Sequence, residues 1–163
     1  TSLIQCTIYF RYYLNQALKA SGLGDQFLDN LQIWRDQMAL GLTTWAEMPE
    51  PSRSDCHAWG ASPNIEFYRI LLGIDSDAPG FRKIRIAPSL GKLKEVSGTI
   101  PHPLGSVTAA YKLDERGEGT ARLVLPEGTT GIFIWDGKEI PSFLSNCLAR
   151  SHKDRGRVCH YCR

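Results

Sequence analysis

Nothing in this chain approaches the roughly 18 consecutive apolar residues that a membrane-crossing helix needs, so no membrane partner is expected. Neither charge sign is in excess, with 19 Lys and Arg facing 17 Asp and Glu. Five of the cations (Arg150, Lys153, Arg155, Arg157 and Arg163) crowd into residues 147–163 against Asp154, which leaves −2 on residues 1–146. A body so near neutrality gives no electrostatic grounds for a nucleic-acid partner. Cysteine is too sparse and too unevenly placed for a disulfide framework: five is an odd number, and Cys147, Cys159 and Cys162 lie in the last 17 residues. Thr1 is not a start methionine, and no basic-then-apolar leader pattern follows it. The chain is expected to open inside a longer protein, so its compartment is not written in it.

What is present is a segregated pattern. Residues from about Ser2 to Ser21 read as a helix with large groups on more than one face (Ile8, Tyr9, Phe10, Tyr12, Tyr13, Leu14, Leu18), which predicts burial on several sides. Gly22 and Gly24 stop it, and Asp25 is placed to cap a second helix running to Leu40. Phe27, Leu31, Trp34 and Met38 give that helix one apolar stripe. Tyr9, Phe10, Tyr12 and Trp34 are expected in the core. A third helix is signalled by Ser62 as cap and Pro63 in the first turn, with Phe67, Ile70, Leu71 and Ile74 as its buried face.

After Asp77-Ala78-Pro79-Gly80 the period changes to two. Alternating runs at Ile84–Ile86, Val96–Ile100, Val107–Leu113 and Ala121–Leu125 precede Ile132–Trp135, which is apolar on both faces. Asp136-Gly137 is a two-residue hairpin signal. Helices followed by strands, without a repeating βαβ order, predict an α+β chain: truncated all-α helices over residues 1–76, then an antiparallel β-sandwich over 77–141. Residues 142–163 show neither stripe nor alternation and are expected to be a disordered or non-native tail. Cys147, His152, Cys159, His160 and Cys162 have a spacing zinc could use, but lack a second short pair. No metal and no cofactor are expected.

The segment that calls for a function is Thr43–Pro63. Its 21 residues hold Glu47, Glu50, Asp55, Arg53, His57, Trp45 and Trp59. A core has no use for so many ionisable groups, and loops on a rigid scaffold are where binding and catalytic residues concentrate. Carboxylate, imidazole and indole together suit a carbohydrate site. Arg53 and Asp55 read as an ion pair shaping the loop, and the plainer reading of Glu47 is a carboxylate that caps a helix or pairs with Arg53.

Six ordered pieces, GLTTWAE (41–47), EPSRSDCHAW (50–59), Ser62-Pro63, LLGIDSDAPGF (71–81), IAPSLG (86–91) and PHPLGSV (101–107), resemble the C-terminal end of bacterial α-L-rhamnosidases over residues from about 8 to 140. That resemblance implies the last helices of a six-hairpin (α/α) toroid followed by a C-terminal sandwich. It implies hydrolysis of terminal α-L-rhamnosides with inversion, which needs two carboxyl groups roughly 6.5–9.5 Å apart. Thr43-Thr44-Trp45-Ala46-Glu47 matches the family's base motif, making Glu47 the expected general base, with Glu50 behind it. His57 is similar to the family's sugar-contacting histidine, and Trp45 and Trp59 are expected as sugar platforms. The family's general acid lies upstream of these pieces. The expected partners are therefore a rhamnose-containing glycoside and a missing N-terminal part of the same polypeptide, with apolar faces left bare that favour dimers. The alternative expectation is a non-catalytic carbohydrate-binding or structural sandwich module.

Overall fold

The computed structural model describes residues 5–143, 146–152 and 157–162. The chain divides into two compact units, residues 1–67 and 68–163. In the first, α1 spans Ile8–Ala20, opened by Thr7, whose hydroxyl accepts from the amide of Phe10 at 3.3 Å. Ile8, Asn15 and Leu18 are its buried residues. Tyr9, Phe10 and Tyr13 are about half exposed, and Tyr12 is half-buried. The aromatic band thus stands at the surface as a ring ladder, against the expectation that Tyr9 and Phe10 are core.

The second helix is shorter than its stripe suggests. Gly24–Gln26 and Asp29–Leu31 are 3-10 turns, and only Gln32–Ala39 is α-helical, here α2. No side chain caps the turn at Leu23 or the helix at Leu31, so Asp25 does not take the capping role. Phe27, Leu31 and Trp34 are buried, but Met38 is 63% exposed and Gln37 is turned inward instead. A polar group of α2 is held inside because it has a backbone partner there, described below.

Pro63–Glu66 forms α3, with Pro63 in the first turn where its missing N–H costs nothing. The Ser62 hydroxyl makes no capping bond. Phe67–Leu71 continues as a π-turn, and Ile74 belongs to a strand rather than to the helix. Ile70, Leu71 and Ile74 are buried as expected, whereas Phe67 remains more than a third exposed.

The second unit is a sandwich. One sheet has the order β1 (Ile74–Ser76), β2 (Lys83–Ile86), β6 (Thr130–Trp135), β7 (Lys138–Phe143); the other β3 (Glu95–His102), β4 (Gly105–Leu113), β5 (Gly119–Val124), β8 (Asn146–His152), β9 (Arg157–Cys162). Alternation puts Val107, Ala109, Tyr111, Ala121 and Leu123 of one sheet inward against Ile84, Ile86, Phe133 and Trp135 of the other, in one core. Tyr111 stacks against Phe133 at 6.4 Å, and its hydroxyl donates to the carbonyl of Leu72 at 2.7 Å. Burial pushes its phenol well above the ordinary value of 10.

Most ladders are antiparallel, but β2 pairs β6 in parallel, Ile84 beside Gly131 and Ile86 beside Phe133. Asp136-Gly137 makes the expected turn, both residues at positive φ (49° and 71°), between β6 and β7. Gly73 has φ +70°, and a Cβ there would lie 2.1 Å from the carbonyl carbon of Ala87, so no larger residue fits. Beyond Ser142, β8 pairs β5 from Val124–Asn146 to Gly119–Ser151, and β9 pairs β8. Backbone pairing organises these residues although their sequence lacks alternation. The side chains of Cys147, His152, Cys159, His160 and Cys162 lie outside those described, as does the zinc spacing they form.

Candidate functional site

The loop from Thr43 to Pro63 is fastened to α2 at two places. Gly41, at φ +80°, ends the helix with its amide donating to the carbonyl of Met38. From the inner side of α2, the Gln37 Oε1 accepts from the amide of Ala46 at 2.9 Å. One turn earlier the Trp34 indole N–H donates to the carbonyl of Gly60 at 2.7 Å. Gly60 cannot be replaced, since a Cβ would sit 2.3 Å from that of Trp45.

Between these anchors the two arms of the loop pair with each other. The amide of His57 donates to the carbonyl of Trp45 at 2.7 Å, and that of Glu47 to the carbonyl of Ser54 at 2.9 Å. The Thr44 hydroxyl donates to the carbonyl of Asp55. At the tip, Ser52 donates to the carbonyl of Ser54 at 2.8 Å and takes the exposed Glu50 as partner for its own amide. Each arm carries candidate residues, and the pairing fixes Trp45 and Glu47 opposite the segment Ser54–His57.

The Glu47 carboxylate is gripped by Arg53 in a two-point fork, Nε donating to Oε2 at 3.0 Å and Nη2 to Oε1. Its side chain is 16% exposed and that of Arg53 72%. The ion pair of the loop is therefore Arg53–Glu47, not Arg53–Asp55. Six residues of loop return bring Arg53 back over Glu47, whereas Asp55 contributes its backbone carbonyl to Thr44.

His57 is half-buried, its ring 4.4 Å from that of Trp59, and Trp59 meets Tyr9 edge-on at 5.5 Å. The His57 Nδ1 is buried and has no hydrogen-bond partner among the described residues. Trp59 is exposed and lines a cavity of about 480 Å³ with Tyr9, Tyr12 and Ile65. Trp45 lines a different cavity of about 410 Å³ with Trp34, Met38 and Phe67. Glu47 and His57 line neither of these two. The structure thus unites His57 with Trp59, and Trp45 with His57 through the backbone, while the two indoles open onto separate hollows.

Three residues that matter here were not among the site candidates read from the sequence, where Trp34 figured only as core. Gln37 and Trp34 sit three apart on α2 and hold the loop. Glu66, fully buried, accepts a hydrogen bond from the Gln16 side chain fifty residues away. A polar residue flanking an apolar stripe was the available clue for Gln37, and an acid in the first turn of a Pro-initiated helix for Glu66. Among the described residues no cluster of His, Cys, Asp and Glu could hold a metal ion.

Comparison with known proteins finds similarity over most of the chain. Residues 73–137 match the model of the bacterial alpha-L-rhamnosidase C-terminal domain. Solved structures with the same architecture include the native α-L-rhamnosidase of Aspergillus terreus (TM-score 0.75, 19% identity, 87% of this chain and 19% of that one) and the α-L-rhamnosidase of Dictyoglumus thermophilum (0.75, 18%, 90% and 21%). The GH78 family rhamnosidase of Bacillus sp. GL1 matches at 26% identity (TM-score 0.65, 78% of this chain and 16% of that one). No curated protein matches by sequence. The chain is similar to the C-terminal part of α-L-rhamnosidases, helices and sandwich together, and spans about one fifth of their length.

Proposed function

We propose that this chain is the C-terminal portion of a glycoside hydrolase that cleaves terminal α-L-rhamnosides with inversion, working with a larger parent polypeptide that brings the general acid. Glu47 takes the proton of the attacking water, His57 and Trp59 contact the sugar, and Trp45 contacts the glycoside from the separate cavity that it lines. The observation that carries this reading is the doubly anchored loop. It holds Glu47 in a fixed direction through Arg53 and packs the His57 imidazole on the Trp59 indole, so one loop carries both a positioned carboxylate and an aromatic platform.

The test is Glu47→Gln in the parent polypeptide, assayed on an aryl rhamnoside. Removing a general base costs about 10²–10⁴-fold in turnover, and a loss of only a few-fold refutes the assignment. A second reading is favoured by the same fork: Glu47 and Arg53 simply brace the loop of a non-catalytic carbohydrate-binding or structural module. Bracing makes Glu47→Gln and Arg53→Gln equivalent, since either breaks the pair. Proton transfer makes Glu47→Gln far the more damaging of the two. Titrating L-rhamnose into the 163-residue chain separates a binding module from a purely structural one.

A further inference from the structure

The apolar stripe of α2 does not end in a packed core. Leu31, Trp34, Arg35 and Met38 occupy the i, i+3, i+4 and i+7 positions of one side and form a wall of the 410 Å³ cavity, with Trp45 and Phe67 opposite. That volume falls within the roughly 300–1,000 Å³ of small-molecule sites. Leu31 and Trp34 are buried at its floor, while Met38 and Arg35 are exposed at its rim. The indole N–H of Trp34 is already used by Gly60, which leaves Arg35, Asn64 and the indole N–H of Trp45 as the polar side-chain groups of the lining. A pyranose ring would leave several hydroxyls unpaired there, at a cost apolar contact does not return. A flat aromatic ring loses nothing of the kind and gains indole, benzyl and thioether contacts.

Arg35 supplies the charge. Its side chain makes no hydrogen bond or ion pair among the described residues. A guanidinium at the mouth of an aromatic-walled cavity is suited both to stacking on a ring and to pairing with an anionic oxygen. We propose that this cavity binds a planar aromatic group bearing an anionic oxygen, as in an aryl carboxylic acid. Its use as a leaving-group pocket rests on the glycosidase reading; its binding of a free aryl acid does not.

The experiment titrates 2-naphthoate and its neutral counterpart 2-naphthamide into the 163-residue chain by calorimetry, using wild type, Arg35→Gln and Met38→Glu. Both positions are exposed, and circular dichroism checks that each variant is folded. Both probes bind the wild type. Arg35→Gln weakens naphthoate about two- to fivefold, the worth of one exposed charge pair, and leaves naphthamide within twofold. Met38→Glu weakens naphthoate more than naphthamide, and L-rhamnose competes with neither. Absence of saturable binding, or naphthoate binding untouched by both variants, overturns the proposal. Hydrolysis by the parent polypeptide reports on Glu47 alone, so the two readings fail separately.

Discussion

Replacing Tyr111 by Phe tests the packing of the sandwich at one atom. The hydroxyl lost is fully buried and donates to the Leu72 carbonyl at 2.7 Å. Its removal leaves that acceptor without this partner, which costs about 1–3 kcal/mol at neutral pH. The wild type also carries a pH signature. Burial holds the folded phenol well above 10 while the unfolded phenol ionises near 10. The folded-state value is the raised one, so the stability it reflects is present below pH 10 and is lost as pH climbs toward the folded value. The unfolded state then binds one proton fewer, and stability falls with a slope approaching 1.4 kcal/mol per pH unit. Tyr111→Phe removes that slope, so the gap between the two proteins narrows above pH 10. Urea denaturation at pH 7, 10 and 11, followed by the fluorine resonance of fluorotryptophan-labelled Trp135, whose ring lies 5.6 Å from Tyr111, measures it in the sandwich itself. A stability difference that stayed constant from pH 7 to pH 11 would refute the burial argument, and one near zero at pH 7 would refute the hydrogen bond.

Two further substitutions probe other regions. Asp77 is held by Lys83 at 3.0 Å and Arg85 at 3.1 Å, and hydrogen bonds from them lower its carboxyl below the usual 3.8. The stability this adds is present above pH 3.8 and is lost as pH falls through the lower folded value, so Asp77→Asn flattens the acid limb of a pH–melting curve and leaves its alkaline limb alone. Gln37→Ala removes the acceptor that fixes Ala46, costing about 1–3 kcal/mol; hydrogen exchange should speed up at the Ala46 amide, and unchanged exchange would mean the loop is held from elsewhere.

The sandwich was legible because its strands advertise themselves locally. Tyr111, Leu123 and Ile86 point inward where alternation puts them, and Asp136-Gly137 turns where a hairpin dipeptide should. The parallel pairing of β2 with β6 was not legible, since nothing in four residues at 83–86 names a partner at 130–133. In the helical unit, periodicity located Phe27, Leu31 and Trp34 in the interior but erred at Met38. The inward place there goes to Gln37, because a loop amide nine residues away needs an acceptor. Tyr9 and Phe10 lie at the surface for a related reason: three short helices offer too little area to cover them. In the loop, residue types were sufficient to single out Glu47, His57 and the two indoles. The partner of Glu47 was not, because which of two candidates an arginine meets depends on how the chain doubles back at Ser52–Ser54.

The parallel ladder between β2 and β6 has a consequence for assembly. The strands that separate them, β3, β4 and β5, all belong to the opposite sheet. Hairpins from 95 to 124 can zip up one after another as near neighbours, but the short β1–β2 ribbon must wait, its outer edge open, until residues 130–133 arrive beside it. Closing so wide a gap is the slow kind of contact. A nascent chain stopped before Thr130 would own a meander with only the β1–β2 ribbon of the facing layer to lie upon, so this unit completes its core late.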